Sequence, residues 1–176
     1  MSAKNKTAKG KRVMLMGFDV DGVLTDGTLY YSARGDEMKG FLTRDGHGIK
    51  MLIEAGVQVA IITGRESEIV AQRARNLGIT HVLQGVNDKR TAMQELLNQL
   101  GLSFEQAGYM GDDIVDLPLL RACAFSATVA DAHHLLASRV DHVSALPGGR
   151  GAVREVCELL LAARGSLESA FARYLA

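Results

Sequence analysis

Apolar runs alternate with segments of helical period along this 176-residue chain. The runs predict strands at about 13–19, 57–62, 80–84, 107–111 and 124–129, with a weaker one near 140–143. Between them the apolar spacing predicts helices near 45–55, 66–77, 88–99 and 114–122, and a later one from Ala152 to about Ala163. Gly56, Gly78 and Gly101 stand where three of these helices should stop, because glycine enters the left-handed conformation that ends a helix at little cost. The alternation predicts an α/β fold: a Rossmann-like, mostly parallel sheet with helices on both faces.

One segment breaks the alternation. Residues 28–33 and 37–42 flank Arg34-Gly35-Asp36, a pattern that predicts a β-hairpin with glycine at its turn. The expected organisation is a basic, disordered arm over 1–12, a single α/β domain over 13–164 with a hairpin flap at about 28–42, and a tail over 165–176. Pro147–Gly151 is expected to be a flexible loop.

Composition narrows the function by exclusion. Twenty Lys and Arg balance twenty Asp and Glu, so no charge excess points to nucleic acid or an anionic membrane. No apolar stretch is long enough to span a bilayer. Cys123 and Cys157 lack metal-ligand spacing and fit buried thiols of a reducing compartment. A soluble, cytoplasmic protein is the expectation.

Four polar groups fall at predicted strand ends. Asp19 and Asp21 follow the first strand, Thr63-Gly64-Arg65 the second, Lys89 opens the helix after the third, and Gly111-Asp112-Asp113-Ile114-Val115-Asp116 follows the fourth. Singly, each has a plain structural explanation: an acidic turn, a Thr-Gly turn, a solvated lysine, a helix cap. In a parallel sheet, however, all four converge at the carboxyl edge. Phosphoryl transfer needs that combination. A carboxylate nucleophile splits ester hydrolysis into two steps through an aspartyl-phosphate. Mg²⁺ offsets the repulsion between carboxylates and an anionic substrate. A hydroxyl and an ammonium, here Thr63 and Lys89, stabilise the phosphoryl oxygens. A second carboxylate, Asp21, serves the leaving group and then the attacking water as acid and base.

These motifs resemble those of the haloacid dehalogenase superfamily of phosphatases, from Val13 to about Glu158. Finer matches are Asp19–Gly27, Arg44-Asp45-Gly46-His47-Gly48-Ile49, Ile62–Arg65, Gly111–Pro118 and Gly148–Glu155. They are similar to the cap-less branch that hydrolyses 3-deoxy-D-manno-octulosonate 8-phosphate in lipopolysaccharide synthesis. The resemblance implies Asp19 as nucleophile, Asp21 as acid/base, and Thr63 and Lys89 as phosphoryl-holding groups. It implies Mg²⁺ on Asp19, the backbone carbonyl of Asp21, and Asp112. Substrate contacts would come from Thr43, Asp45, Gly64, Arg65 and Lys89. Asp113 and Asp116 either hold metal-bound waters or brace their loop.

The interval from Asp21 to Thr63 already encodes a hairpin, a helix and a strand, which leaves no room for a cap domain. The resemblance implies that a homotetramer encloses the site, with hairpins associating and Pro147–Gly151 approaching a neighbour. Exposed Leu29, Tyr31 and Phe41 on a projecting hairpin support burial between subunits. Arg65 suits a sugar-acid carboxylate. A phosphatase of a nonulosonate 9-phosphate, a phospho-receiver domain and an idle assembly module are the alternatives.

Overall fold

The structure, a computed structural model, describes residues 3–175. In chain order its elements are α1 (Ala3–Lys11), β1 (Leu15–Phe18), a hairpin of β2 (Tyr30–Tyr31) and β3 (Glu37–Met38), α2 (Thr43–Glu54), β4 (Gln58–Ile62), α3 (Glu68–Leu77), β5 (His81–Leu83), α4 (Lys89–Leu100), β6 (Ala107–Met110), α5 (Leu117–Ala122), β7 (Phe125–Thr128), β8 (His142–Val143), α6 (Ala152–Ala163) and α7 (Leu167–Leu175). All six predicted strands form one parallel sheet in the order β5-β4-β1-β6-β7-β8. The expected α/β class holds.

The central strand decides where the site lies. β1 is buried along its whole length and pairs with β4 on one side and β6 on the other, with Phe18 opposite both Ile61 and Met110. The chain therefore leaves β1 in opposite directions on its successive crossovers, and the crevice at such a reversal opens at the carboxyl ends. Asp19 sits in that crevice, its amide still held by the Met110 carbonyl at 3.0 Å.

Two apolar layers clamp the sheet. Phe18, Ile49, Leu52, Val70, Val153 and Leu160 join it to α2, α3 and α6 on one face. Leu15, Met93, Leu97, Tyr109, Leu119 and Leu120 join it to α4 and α5 on the other. Each fully buried side chain of this kind contributes about 1.5–3 kcal/mol relative to exposure. Gly56, Gly78 and Gly101 do close their helices, with φ of +82°, +78° and +67°.

Several expectations need correction. The basic arm is helical over Ala3–Lys11 rather than disordered. Gly10 brings it close to Ala163 and Leu160, and Lys9 pairs with Asp141 at 2.7 Å. Met1 and Ser2 lie outside the described residues. The helix predicted at 114–122 divides into a single 3₁₀ turn, Ile114–Asp116, and α5, with Pro118 in the first turn of α5 where its missing N–H costs nothing. The tail is helical over Leu167–Leu175, and Leu167, Ala170 and Phe171 pack on the core. Phe41 is not an exposed hairpin residue: it packs on the core, with the Arg73 guanidinium 5.6 Å from its ring centre.

Pro147–Gly151 lies on its own chain. The Gly149 amide donates to Val23 O at 2.9 Å, and a Cβ on Gly148 would fall 1.9 Å from the Gly22 carbonyl oxygen. Cys123 and Cys157 are buried free thiols, and burial pushes Cys123 up to about 12. Among the described residues, no helix is long and apolar enough to cross a membrane.

Candidate active site

Beyond β1 the chain makes one wide turn, Val20–Leu24, closed by the Thr25 amide on Val20 O at 3.0 Å. Gly22 takes φ of +88° there, and a Cβ at this position would stand 2.1 Å from Asp112 Oδ2. Glycine is what lets the β1 and β6 loops approach. The resulting cavity, about 340 Å³, is lined by Asp19, Asp21, Thr63, Gly64, Arg65, Lys89 and Asp112, among others. Four strand-end groups that are distant in sequence share one crevice.

Lys89 is the hub. Its buried ammonium donates to Asp19 Oδ2 at 2.6 Å and to Asp116 Oδ1 at 2.7 Å. Burial works against its charge, but Asp19 and Asp116 outweigh that and hold its pKa above the ordinary value. Burial pushes Asp19 up to about 6, reinforced by Asp116 and opposed by Lys89. Burial likewise pushes Asp112 up to about 7, reinforced by Asp19, Asp116 and Asp113.

The Asp112/Asp113 pair divides its work. Asp113 is exposed and caps the 3₁₀ turn, accepting from the Ile114 amide at 2.7 Å. Asp112 faces the cavity. Asp116 braces the loop: Oδ2 accepts from the Asp112 and Asp113 amides at 3.1 and 3.2 Å, while Oδ1 takes Lys89 and lies 3.0 Å from the Tyr109 hydroxyl.

The donor set fits a divalent cation. Asp19, Asp112 and Asp116 each present an oxygen within 4.8 Å of the others. Asp116 is saturated by four donors, which leaves Asp19 and Asp112 with capacity to ligate. Burial, reinforced by the neighbouring carboxylates, raises both pKa values beyond what Lys89 offsets, and a hard cation would relieve the cost of charging them.

Thr43 and Asp45 are not brought to this cavity. Thr43 begins α2. Asp45 is buried between α2 and α6, where Oδ1 accepts from the Arg154 amide at 2.8 Å at the start of α6. Burial raises its pKa despite that bond. Asp45 caps a neighbouring helix because α2 packs directly on α6.

The hairpin supplies residues that the sequence reading missed. The side chain of Lys39 is almost fully buried, and its ammonium meets the Asp21 carboxylate. Glu37 accepts from the Ser67 hydroxyl at 2.7 Å and lies 3.5 Å from Arg65. The Tyr31 hydroxyl accepts from Arg65, whose Nε is 3.7 Å from Asp21. The available signal was strand alternation: Glu37 and Lys39 fall two apart in the second arm of the predicted hairpin, 37–42, which would place them on one face.

Comparison with known proteins agrees with this architecture. Residues 80–151 match the model of the haloacid dehalogenase-like hydrolases. Over 163 residues the chain is 47% identical to 3-deoxy-D-manno-octulosonate 8-phosphate phosphatase of Escherichia coli K12, covering 93% of this chain and 87% of that one. This chain belongs to the haloacid dehalogenase-like hydrolases. Solved members of that family superpose closely. The 3-deoxy-D-manno-octulosonate 8-phosphate phosphatase of Yersinia pestis is 46% identical with a TM-score of 0.93, over 95% of this chain and 90% of that one. The Moraxella catarrhalis enzyme, in complex with a magnesium ion, a phosphate ion and KDO, is 39% identical with a TM-score of 0.97, over 98% and 99%.

Proposed function

We propose that this chain is a Mg²⁺-dependent phosphomonoesterase that hydrolyses 3-deoxy-D-manno-octulosonate 8-phosphate to the free sugar acid and phosphate. The observation that carries the reading is the convergence of Asp19, Asp112 and Lys89 in one cavity, in a chain of this family that is 47% identical to such a phosphatase. A relative holding magnesium, phosphate and KDO supports the cofactor and the substrate class.

Asp19 attacks the phosphorus atom, and the ester P–O bond breaks as Asp21 gives its proton to the departing sugar oxygen. Asp21 then takes a proton from the water that attacks the aspartyl-phosphate, and phosphate leaves as Asp19 is restored. Lys89 places positive charge beside the phosphoryl oxygens, and Thr63 offers them a hydroxyl. Asp19, Asp112 and the backbone carbonyl of Asp21 would hold Mg²⁺, which supplies charge neutralisation between the carboxylates and the phosphate.

Arg65 and Gly64, at the rim of the cavity, take the sugar-acid end, the guanidinium pairing with its carboxylate. Residues 13–164 form the catalytic unit. Leu29, Tyr30, Tyr31 and Met38 leave large apolar surface exposed on the hairpin, which favours association of hairpins in a homotetramer. Two buried free thiols fit a cytoplasmic enzyme.

Phosphate release from 3-deoxy-D-manno-octulosonate 8-phosphate, with Mg²⁺ and with chelator, beside a nonulosonate 9-phosphate, tests the reading. Metal-dependent preference for the former supports it. Preference for the latter retains the chemistry and reassigns the substrate.

A further inference from the structure

A second cavity, about 570 Å³, lies beside the catalytic one on the α4/α5 side of the sheet, and three arginines line it: Arg90, Arg121 and Arg139. Arg90 follows Lys89 directly in α4, Arg121 stands in the last turn of α5, and Arg139 is anchored by donating to Leu135 O at 2.8 Å. Among the described residues, none of the three forms an ion pair with a carboxylate. Asp88 offsets part of this charge: its field reaches Arg90 while its own oxygens accept from the Thr91 amide and hydroxyl. Three guanidinium groups gathered without acidic partners, in a chain of zero net charge, form a local positive field.

This cavity is not isolated from the chemistry. A third cavity, about 330 Å³ and lined by Asn87, Asp88, Lys89, Arg90, Val115 and Pro118, lies between the two. It shares Asn87, Lys89 and Val115 with the catalytic cavity, and Arg90 and Pro118 with the arginine-lined one. Arg90 thus stands between the arginine-lined cavity and Lys89, whose ammonium is paired with Asp19 and Asp116, while the Asp88 carboxylate in the same lining is taken up by Thr91. The catalytic cavity itself presents Asp19, Asp21, Asp112 and Asp113, with Lys89 and Arg65 already paired to Asp19 and Asp21.

We propose that Arg90, Arg121 and Arg139 form an anion-capture trough that draws the phosphate ester toward the adjoining catalytic cavity. The proposal rests on the phosphatase reading only in requiring an anionic phosphate ester as substrate. Capture of this kind raises the encounter rate and leaves the chemical step alone.

The test is kcat/KM against ionic strength for the full-length Mg²⁺-loaded enzyme, with 3-deoxy-D-manno-octulosonate 8-phosphate and with p-nitrophenyl phosphate. Arg121→Ala, Arg121→Glu and Lys50→Ala are compared with wild type, Lys50 being an exposed charge on α2, across the sheet from the trough. At low salt, Arg121→Ala should lower kcat/KM roughly threefold and Arg121→Glu further, with kcat unchanged. The differences should vanish at high salt, where charges are screened, and Lys50→Ala should match wild type.

Wild-type behaviour of both Arg121 variants at low salt overturns the proposal. So does an effect of Lys50→Ala equal to that of Arg121→Ala, since net charge alone would then explain it. A changed oligomeric mass with unchanged kinetics overturns it in favour of a subunit contact. Turnover of p-nitrophenyl phosphate alone defeats the substrate reading, while the variants still decide the trough on that ester. No turnover of either defeats both.

Discussion

The ammonium of Lys39, carried by the hairpin, meets the carboxylate of Asp21 at the end of β1. The two lie eighteen positions apart in the chain, and only the fold of the hairpin over the crevice joins them. Because the Lys39 side chain is almost wholly buried, the contact fixes Asp21 more firmly than an exposed ion pair would. Lys39→Ala should lower kcat by roughly tenfold or more, within the range that acid/base positioning supplies. Steady-state kinetics beside circular dichroism checks this, and an unaltered kcat in a folded variant would show that the contact is incidental.

Asp19→Asn should remove at least about a thousandfold of turnover, since an amide cannot form the aspartyl-phosphate and the other carboxylates of the cavity have separate roles. The fold should persist, because Lys89 keeps its second partner, Asp116, at 2.7 Å. Residual activity near wild type would move the nucleophile elsewhere.

The raised pKa values of Asp19 (about 6) and Asp112 (about 7) give the metal-free protein a signed pH dependence. Each lies above its ordinary 3.8, so between about pH 4 and pH 7 the folded state binds more protons than the unfolded one. These two groups therefore make the metal-free protein more stable as pH falls from 8 toward 5, and their contribution disappears once Mg²⁺ displaces the protons. Thermal melts across that range, with chelator and with Mg²⁺, measure the slope. Asp112→Asn should flatten it. Calorimetry in buffers of different ionisation enthalpy should show protons released as Mg²⁺ binds near pH 6.5.

Gly148→Ala should impair catalysis without unfolding the chain. The added Cβ would stand 1.9 Å from the Gly22 carbonyl oxygen, and Gly22 itself faces Asp112. Relief must come from backbone, since Gly22 has no side chain to swing away. A fall in kcat/KM of roughly tenfold or more, from misplacement of the reacting groups, is expected. Wild-type kinetics would mean that the loop yields freely.

Asp45→Ala separates helix capping from substrate contact. Losing the acceptor of the Arg154 amide should cost about 1 kcal/mol of stability, as other cap removals do. KM should stay unchanged, because Asp45 lies outside the catalytic cavity. A raised KM with an unchanged melting temperature would restore Asp45 to the substrate.

Strand and helix positions were legible because they depend on local period: runs such as 57–62 can bury only as strands between helices, and Gly56, Gly78 and Gly101 mark the stops. The acidic pair, Thr63, Lys89 and Asp112 were legible too, since a parallel sheet carries all strand ends to one edge. Whether Asp113 holds a metal-bound water or braces its loop was not legible: it caps the 3₁₀ turn from the edge of the cavity, a direction set only once the backbone has turned. Nor was the placement of Asp45, whose motif sits on α2 but whose partner amide belongs to α6. Lys39 on Asp21, Gly148 on Gly22 and α1 beside Ala163 are likewise contacts between segments far apart in the chain. The sequence by itself determined the elements and the chemistry available at the strand ends, because both follow from neighbours along the chain. Only the tertiary structure decided which of those groups share a cavity and which serve as caps and braces, because that depends on long-range packing that leaves no periodic trace.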